Sequence, residues 1–389
     1  MKTPKHILPI IVFAQFAGTS LWFAGNAILP QIQEAWSLPS NSIAQVTSSV
    51  MLGFIVGTLL FSVTSIADRF KPSIVFFICA TLGAALNLAV SFTGESFIWL
   101  LIFRFLTGVC LAGVYPVGMK IASDWFDGRL GKALGYLVGA LVLGSAFPHL
   151  LNHFGANYEW RIVLQGTSLI AFIGGLAILF FVGDGPSRVR SSSFSAKAAL
   201  DVFKKKEFRW AAFGYFGHMW ELYTLWAFLP IVLTYYAEGN SEPIAISLWT
   251  FIIMATGVIG CVLGGYRSVH KGSAKVAYGF LTLSGILCLT SPILFNLSPI
   301  IFLSVMCLWG FAVIGDSAQF SSLSAKTAPI ELKGTALTLA VSIGFFLTIP
   351  SIQLLQLLSQ FIPTKWLLFT LVIGPIFGLI YTRKLIRNS

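Results

Sequence analysis

The sequence predicts an all-α integral membrane protein that crosses the bilayer twelve times. Of its 389 residues, 56% are hydrophobic and 10% are charged, which leaves too few polar groups to coat a water-soluble globule. Apolar runs of about 20 residues, the length that crosses the hydrocarbon core, follow one another along the chain. When these runs are threaded through the bilayer in alternating directions, all but three of the 25 lysines and arginines lie on one side of it. The exceptions are Arg104, Arg161 and Lys365. Because cationic loops are retained in the cytoplasm, both termini are predicted to face it.

Twelve predicted spans can be placed end to end. In the first half they cover residues 7–30, 43–66, 73–93, 97–122, 133–153 and 161–183, and in the second half 209–236, 244–266, 275–296, 299–325, 334–358 and 365–383. The first apolar run has the cationic start of a signal peptide but no small-residue cleavage site, so it is predicted to be a retained helix. The predicted location is the cell inner membrane, as a multi-pass protein.

A polar stretch divides the chain into two halves, 1–183 and 209–389. Residues 184–208 contain a serine run at 191–193 and a lysine run at 204–206, which predict a cytoplasmic linker. A regulatory or partner-binding role for it is the alternative. The two halves also share a pattern of glycines and proline. Residues Gly108, Gly113 and Pro148 of the first half have counterparts at similar spacing in the second half, namely Gly310, Gly315 and Pro350. We therefore predict two pseudo-symmetric six-helix halves, as in transporters built from parallel repeats.

Composition and motifs exclude several other classes of protein. The net charge of +11 is spread over short loops and forms no basic domain, so no nucleic-acid partner is expected. The five cysteines lie inside apolar runs without paired spacing, and neither a metal site nor a cofactor is predicted. The polar segments carry no nucleotide loop and no grouping of a nucleophile with a base, so the chain is not expected to be an enzyme.

The loop after the second span carries the most specific motif. It runs from Gly57 to Asp68, Arg69 and Lys71, and it resembles the G-x-x-x-D-R-x-G-R-R signature of the major facilitator superfamily of secondary transporters. The second glycine of the signature is missing from this chain, and Pro72 stands where the signature has its last basic residue. The resemblance covers essentially the whole chain and implies that superfamily's fold. Independently of the resemblance, an aspartate and adjacent cations at helix ends can pair with neighbouring helix termini and charges when the cytoplasmic side closes, which predicts a gating role for these residues. The alternative is that Arg69 and Lys71 only set topology.

Two further elements bear on this resemblance. Arg104 and Gly108 match the family's R-x-x-x-G element, and the segment 115–120 with the glycine-rich fifth span is similar to the nitrate and nitrite porters. The glycine- and asparagine-rich signatures of those porters are missing, so nitrate itself is not the expected solute.

Four ionisable residues lie inside the predicted spans, namely Arg104, His218, Glu221 and Asp316. A charged group at mid-bilayer costs about 2.5–3.5 kcal/mol on insertion scales, so such residues are functional candidates. His218 and Glu221 are three residues apart on one helical face, which predicts a direct pair that couples transport to protons. The alternative is a hydrogen-bonded pair that locks the helix to a neighbour. Asp316 is predicted to contribute to the inner gate.

Candidate substrate contacts come from the remaining polar and aromatic side chains. Arg104 either contacts substrate, which would favour an anionic or zwitterionic solute, or satisfies backbone carbonyls of an adjacent helix. In the first span, four side chains at successive spacings of four, three and four residues are predicted to form one polar stripe. The stripe either lines a water-filled cavity or holds neighbouring helices together. This stripe consists of Gln15, Thr19, Trp22 and Asn26, and the other candidates are Tyr115, Trp220, Tyr223 and Gln353.

The leading hypothesis is a secondary active transporter that works by alternating access. It is expected to act as a monomer in the bilayer and to couple protons to the movement of a small anionic or zwitterionic solute. One alternative is a drug, metabolite or siderophore-type exporter that works by proton antiport. An alternative of another class is a membrane solute sensor that does not transport. The residues decide neither the direction of transport nor the substrate.

Overall fold

A computed structural model gives the fold. It describes residues 4–39, 41–126, 130–155, 159–183, 185–186, 201–240, 243–329 and 333–387, without the side chains of residues 68, 130–132 and 333–334. Every regular element in these ranges is helical, and they contain no β-strand. The chain divides into two compact units, Met1–Phe194 and Ser195–Ser389. Most of the predicted linker lies outside the described residues, which include only 185–186 and 201–208 of it.

The N-terminal unit is a bundle of helices that follow the predicted spans. They are α1 (Ile7–Thr19), α2 (Ala24–Ala35), α3 (Ser42–Thr64), α4 (Ile66–Arg69), α5 (Pro72–Ala89), a 3₁₀ turn (Val90–Phe92), α6 (Phe97–Leu111), α7 (Tyr115–Trp125), α8 (Leu130–Phe154) and α9 (Arg161–Phe181). Proline stands at the start of α5 and near the start of α7, where the missing amide hydrogen costs no helical bond.

The C-terminal unit is also helical. It contains α10 (Lys206–Glu238), α11 (Ile246–Lys271), α12 (Ser273–Leu294), α13 (Pro299–Gly315), α14 (Ser317–Thr327), α15 (Lys333–Leu358), two 3₁₀ turns (Thr364–Trp366 and Leu368–Val372) and α16 (Ile373–Arg387). The helix α10 is continuous over 33 residues and contains Pro230. It packs against α15 and α16 along much of its length.

Eleven segments of the described chain are long and apolar enough to cross a membrane. They coincide with all the predicted spans except the seventh. The seventh span corresponds to α10, which is long enough but less apolar because it carries His218, Glu221 and many tyrosines and tryptophans. The all-helical prediction is confirmed, whereas the count of twelve and the cytoplasmic location of the termini stay predictions.

Large apolar side chains are exposed along the spans, as expected where lipid is the solvent. Examples are Leu52, Ile98, Phe180, Ile259 and Ile300, all between 46% and 80% exposed. In water, so much exposed apolar surface would drive association.

The α-helix is interrupted inside several of the predicted spans. The first breaks between α1 and α2, the fourth between α6 and α7, and the tenth at the single residue Asp316 between α13 and α14. The first break has a visible cause, because Thr19 and Ser20 hydroxyls donate to the carbonyl oxygens of Gln15 and Ala17. Side chains of this kind compete with the helical ladder and loosen it.

Glycines allow the same close helix crossing in both units. A Cβ atom on Gly108 of α6 would lie 2.1 Å from the Val50 carbonyl oxygen of α3. Likewise, a Cβ on Gly310 of α13 would lie 1.9 Å from the Ile253 carbonyl oxygen of α11. Only glycine permits backbones this close, so the glycines that echo between the halves mark equivalent crossings.

Candidate functional site

The helix α10 carries two ionisable side chains into the interior of the C-terminal unit. His218 and Glu221 are both 1% exposed, and most residues around them on α10 are also buried. Buried charges are retained only where other groups compensate them, so the partners of these two residues define the site.

The carboxylate of Glu221 is held by donors from two other helices. Its Oε1 atom accepts a hydrogen bond from the Ser284 hydroxyl, one of 2.7 Å from Trp309 Nε1, and one of 3.4 Å from the Cys288 thiol. Ser284 and Cys288 are four residues apart on α12 and therefore share a face, while Trp309 lies on α13. Hydrogen bonds to charged groups contribute about 1.5–3 kcal/mol each, so three of them offset much of the cost of burial. Glu221 thereby ties α10 to α12 and α13.

His218 is held by a different acid. Its Nδ1 atom lies 2.8 Å from Asp316 Oδ1, and both side chains are 1% exposed. This is the distance of an ion pair, and the Nε2 atom of the ring has no hydrogen-bond partner among the described residues. The rings of Tyr215 and Phe320 flank the imidazole, with centroids at 5.9 and 6.1 Å.

The predicted direct pair of His218 with Glu221 is therefore replaced by two separate contacts. The spacing of three correctly predicts a shared face, but each side chain has a closer partner on another helix. Asp316, predicted as a gate residue, is buried beside His218. Sequence reasoning missed Ser284, Cys288 and Trp309 as partners. A tryptophan in the middle of an apolar span was a usable signal, because its buried N–H needs an acceptor.

In the N-terminal unit, Arg104 binds the break in the first span. Its Nη2 donates to the carbonyl oxygens of Leu21, at 2.8 Å, and Trp22. Its Nη1 donates to Asn87 Oδ1 at 3.1 Å. A Cβ on Gly25 would lie 2.9 Å from Nε, so the backbone of α2 packs directly on the guanidinium. Both terminal nitrogens are thus occupied by protein groups, which is the backbone alternative that the sequence left open.

Asn87 extends this network to the sixth span. Its Nδ2 lies 3.1 Å from Thr167 Oγ1, 3.0 Å from Ser168 Oγ and 3.3 Å from the Leu164 carbonyl oxygen. Asn87 is fully buried and was not predicted as important, although an amide within an apolar span was a readable signal. Arg104 and Asn87 together connect the first, third, fourth and sixth spans.

The predicted polar stripe does not lie on one continuous helix, so that prediction is wrong in its geometry. Gln15 and Thr19 belong to α1, Trp22 lies in the break, and Asn26 belongs to α2. All four are buried. Asn26 donates to Thr47 Oγ1 at 2.6 Å, whereas both amide atoms of Gln15 have no hydrogen-bond partner among the described residues.

The remaining predicted contacts are scattered. Tyr223 is buried with its ring 5.5 Å from that of Trp226 and 5.1 Å from that of Phe345. Trp220 and Tyr115 are half-buried, and Gln353 is exposed. The substrate roles of these residues stay predictions.

The predicted gating loop lies at the surface. Arg69 ends the short helix α4, and both Arg69 and Lys71 are exposed. The side chain of Asp68 lies outside the described residues. The gating roles of these three residues and of Asp316 therefore stay predictions.

Comparison with known proteins decides the family. The sequence profile of the Major Facilitator Superfamily matches residues 11–352. The chain belongs to this superfamily. It is accordingly a multi-pass membrane protein of a transporter family.

Similar members of the superfamily carry transporter names. The chain is 22% identical over 377 residues to the 4-hydroxybenzoate transporter PcaK of Acinetobacter baylyi, covering 87% of this chain and 80% of the relative. It is 24% identical over 322 residues to the probable sulfoacetate transporter SauU of Cupriavidus necator, covering 76% and 74%. It is 25% identical over 238 residues to the nitrate/nitrite transporter NrtP of a Picosynechococcus strain, covering 52% and 43%. The similarity to a nitrate/nitrite transporter that the sequence indicated is thus present at low identity.

Proposed function

We propose that this member of the superfamily is a proton-coupled secondary active transporter of a small anionic or zwitterionic solute in the inner membrane. The observation that carries the proposal is the pair of buried ionisable residues on α10. Glu221 and His218 lie in an apolar bundle, and each is compensated by polar groups of other helices. Ionisable residues buried within membrane spans are costly to place there, and proton relays are one of the functions for which they are retained.

The chemistry of the two residues suits proton transfer. An imidazole can carry a proton on either ring nitrogen, and the Nε2 atom of His218 has no hydrogen-bond partner among the described residues, so this nitrogen is available to exchange a proton. Protonation of either residue changes the contacts between α10 and the neighbouring helices, so binding or release of a proton alters how these helices pack. Alternating access requires such a difference between two states.

The solute class rests on different support. The three relatives are named for 4-hydroxybenzoate, sulfoacetate and nitrate or nitrite, all of which are anions. Arg104 supplies a buried positive charge in the N-terminal unit without a paired carboxylate among the described residues, which also favours an anion. Export of a larger compound by proton antiport is the second candidate, and a sensor that does not transport is the third.

Uptake into proteoliposomes separates these candidates. The purified protein would be reconstituted and offered labelled 4-hydroxybenzoate, sulfoacetate or nitrate, with and without a pH gradient of either sign. We expect accumulation of at least one anion above equilibrium, and only when a gradient is present. Accumulation that ignores the gradient would reject proton coupling, and binding without any flux would favour the sensor.

A further inference from the structure

Asp316, in the tenth predicted span, does not cap the helix that follows it. Asp316 stands directly before α14, where aspartate usually accepts hydrogen bonds from the free amide groups of the first helical turn. Its side chain makes no such bond. The carboxylate instead lies against His218 of α10, at 2.8 Å. The junction between α13 and α14 is therefore tied to α10 by a contact that depends on charge.

The surroundings of this contact offer no fixed counterion. The titratable groups around it are Glu221, one turn beyond His218 on α10, Tyr215, whose ring centroid lies 5.9 Å from that of His218, and Cys261 on α11, whose thiol lies 3.6 Å from the Ile314 carbonyl oxygen. Among the residues with described side chains, no lysine or arginine forms an ion pair with either acid. Two carboxyl groups and one imidazole thus share a buried space in which each protonation step changes the net charge.

We propose that Asp316 is a third member of the proton site, and that its contact with His218 is a proton-dependent tie between α10 and the α13–α14 junction. The contact is an ion pair only while His218 carries a proton and Asp316 does not. Either loss of the imidazole proton or gain of a carboxyl proton removes the charge attraction. The α13–α14 junction, where the tenth span is interrupted, is then no longer held to α10. This inference rests on the proposed function and assigns Asp316 a positioning role within it.

The packing at the junction allows such a movement to be transmitted. A Cβ on Gly315 would lie 2.4 Å from the Phe280 ring of α12, and one on Gly264 of α11 would lie 2.7 Å from the Gly315 carbonyl oxygen. The junction therefore touches α11 and α12 through bare backbone. Cys261 of α11 is fully buried with its thiol 3.6 Å from the Ile314 carbonyl oxygen, two residues before Asp316. Displacement of the junction would uncover this thiol.

Cys261 is therefore a native reporter for the tie. In a background that keeps Cys288 and has the three cysteines outside the proton site replaced by serine, the rate of maleimide labelling at Cys261 would be followed by peptide mass spectrometry from acid to alkaline pH and divided by that of free cysteine. We expect the corrected rate to change at least several-fold with pH. In Asp316→Asn, which keeps the side-chain volume but cannot form the ion pair, the rate should be high and independent of pH. His218→Gln, which removes the other partner of the ion pair, should give the same result.

Controls and outcomes keep the two proposals apart. Glu238→Gln, at the exposed end of α10, should leave the pH dependence unchanged. If both Asp316→Asn and His218→Gln retain the wild-type pH dependence of labelling, or if the wild-type rate itself does not vary, the tie is refuted. Labelling needs no transport, so its failure is distinct from a failure of pH-driven uptake, which would refute the proposed coupling instead.

Discussion

Proteoliposomes that contain Glu221→Gln are expected to lose accumulation of the solute against its gradient while they retain counterflow exchange. Glutamine fills the same volume and still presents an oxygen to Ser284 and Trp309, but it cannot bind or release a proton. Counterflow needs only the solute-loaded states, whereas uphill movement needs the proton. Without the titrating group the pH gradient no longer drives the solute, so the solute should only equilibrate across the membrane. The measurement is pH-driven uptake and counterflow of whichever anion the wild-type protein accumulates.

A matched control is available on the same helix. Glu207 and Glu238 lie near the two ends of α10 and are exposed, so glutamine at either position should leave both assays at wild-type rates. If Glu221→Gln accumulates solute as the wild type does, Glu221 is a structural tie between helices and not a coupling residue. If both assays fail while the protein melts normally, the residue is needed for solute binding.

Replacement of Arg104 by alanine is expected to cause the largest loss of stability in the N-terminal unit. The change leaves the carbonyl oxygens of Leu21 and Trp22 without their donor, together with the oxygen of Asn87, in a place that water does not reach. Unsatisfied buried groups cost about 1–3 kcal/mol each, so the combined effect is several kcal/mol. Arg104→Lys should recover only part of this, since a single ammonium cannot span three acceptors in a fixed plane. Thermal unfolding in detergent measures the difference.

Arg161 provides the comparison for this experiment. It pairs with Glu159 at a position where its side chain is 43% exposed, and exposed pairs contribute about 0–1 kcal/mol. Arg161→Ala should therefore melt close to the wild type. An Arg104→Lys protein of full stability that has lost affinity for anions would instead indicate that Arg104 contacts the solute.

The sequence is sufficient to predict the helical class and eleven of the spans, because hydropathy and length act locally. It is not sufficient for the interruptions. At the break between Thr19 and Ala24, the carbonyl oxygens of Leu21 and Trp22 accept hydrogen bonds from Arg104, which lies 83 and 82 residues later in the chain. The hydroxyls of Thr19 and Ser20 are a local signal for the break, but nothing in the first span identifies Arg104 as the partner of the freed carbonyl groups.

The candidate site shows the same limit. The spacing of His218 and Glu221 places both on one face of α10 but says nothing about which neighbour meets that face. Their partners lie between 63 and 98 residues further along the chain, at Ser284, Trp309 and Asp316. Burial of ionisable groups in apolar spans identifies the participants, whereas their pairing depends on helix packing.

Proton movement with solute tests the central claim most directly. Proteoliposomes would enclose a pH-sensitive dye, begin without a pH gradient, and receive an inward gradient of the accumulated anion. We predict that the internal pH shifts as the anion enters, and that Glu221→Gln abolishes the shift. If the wild-type protein carries the anion while the internal pH stays constant, the buried residues of α10 do not couple transport to protons.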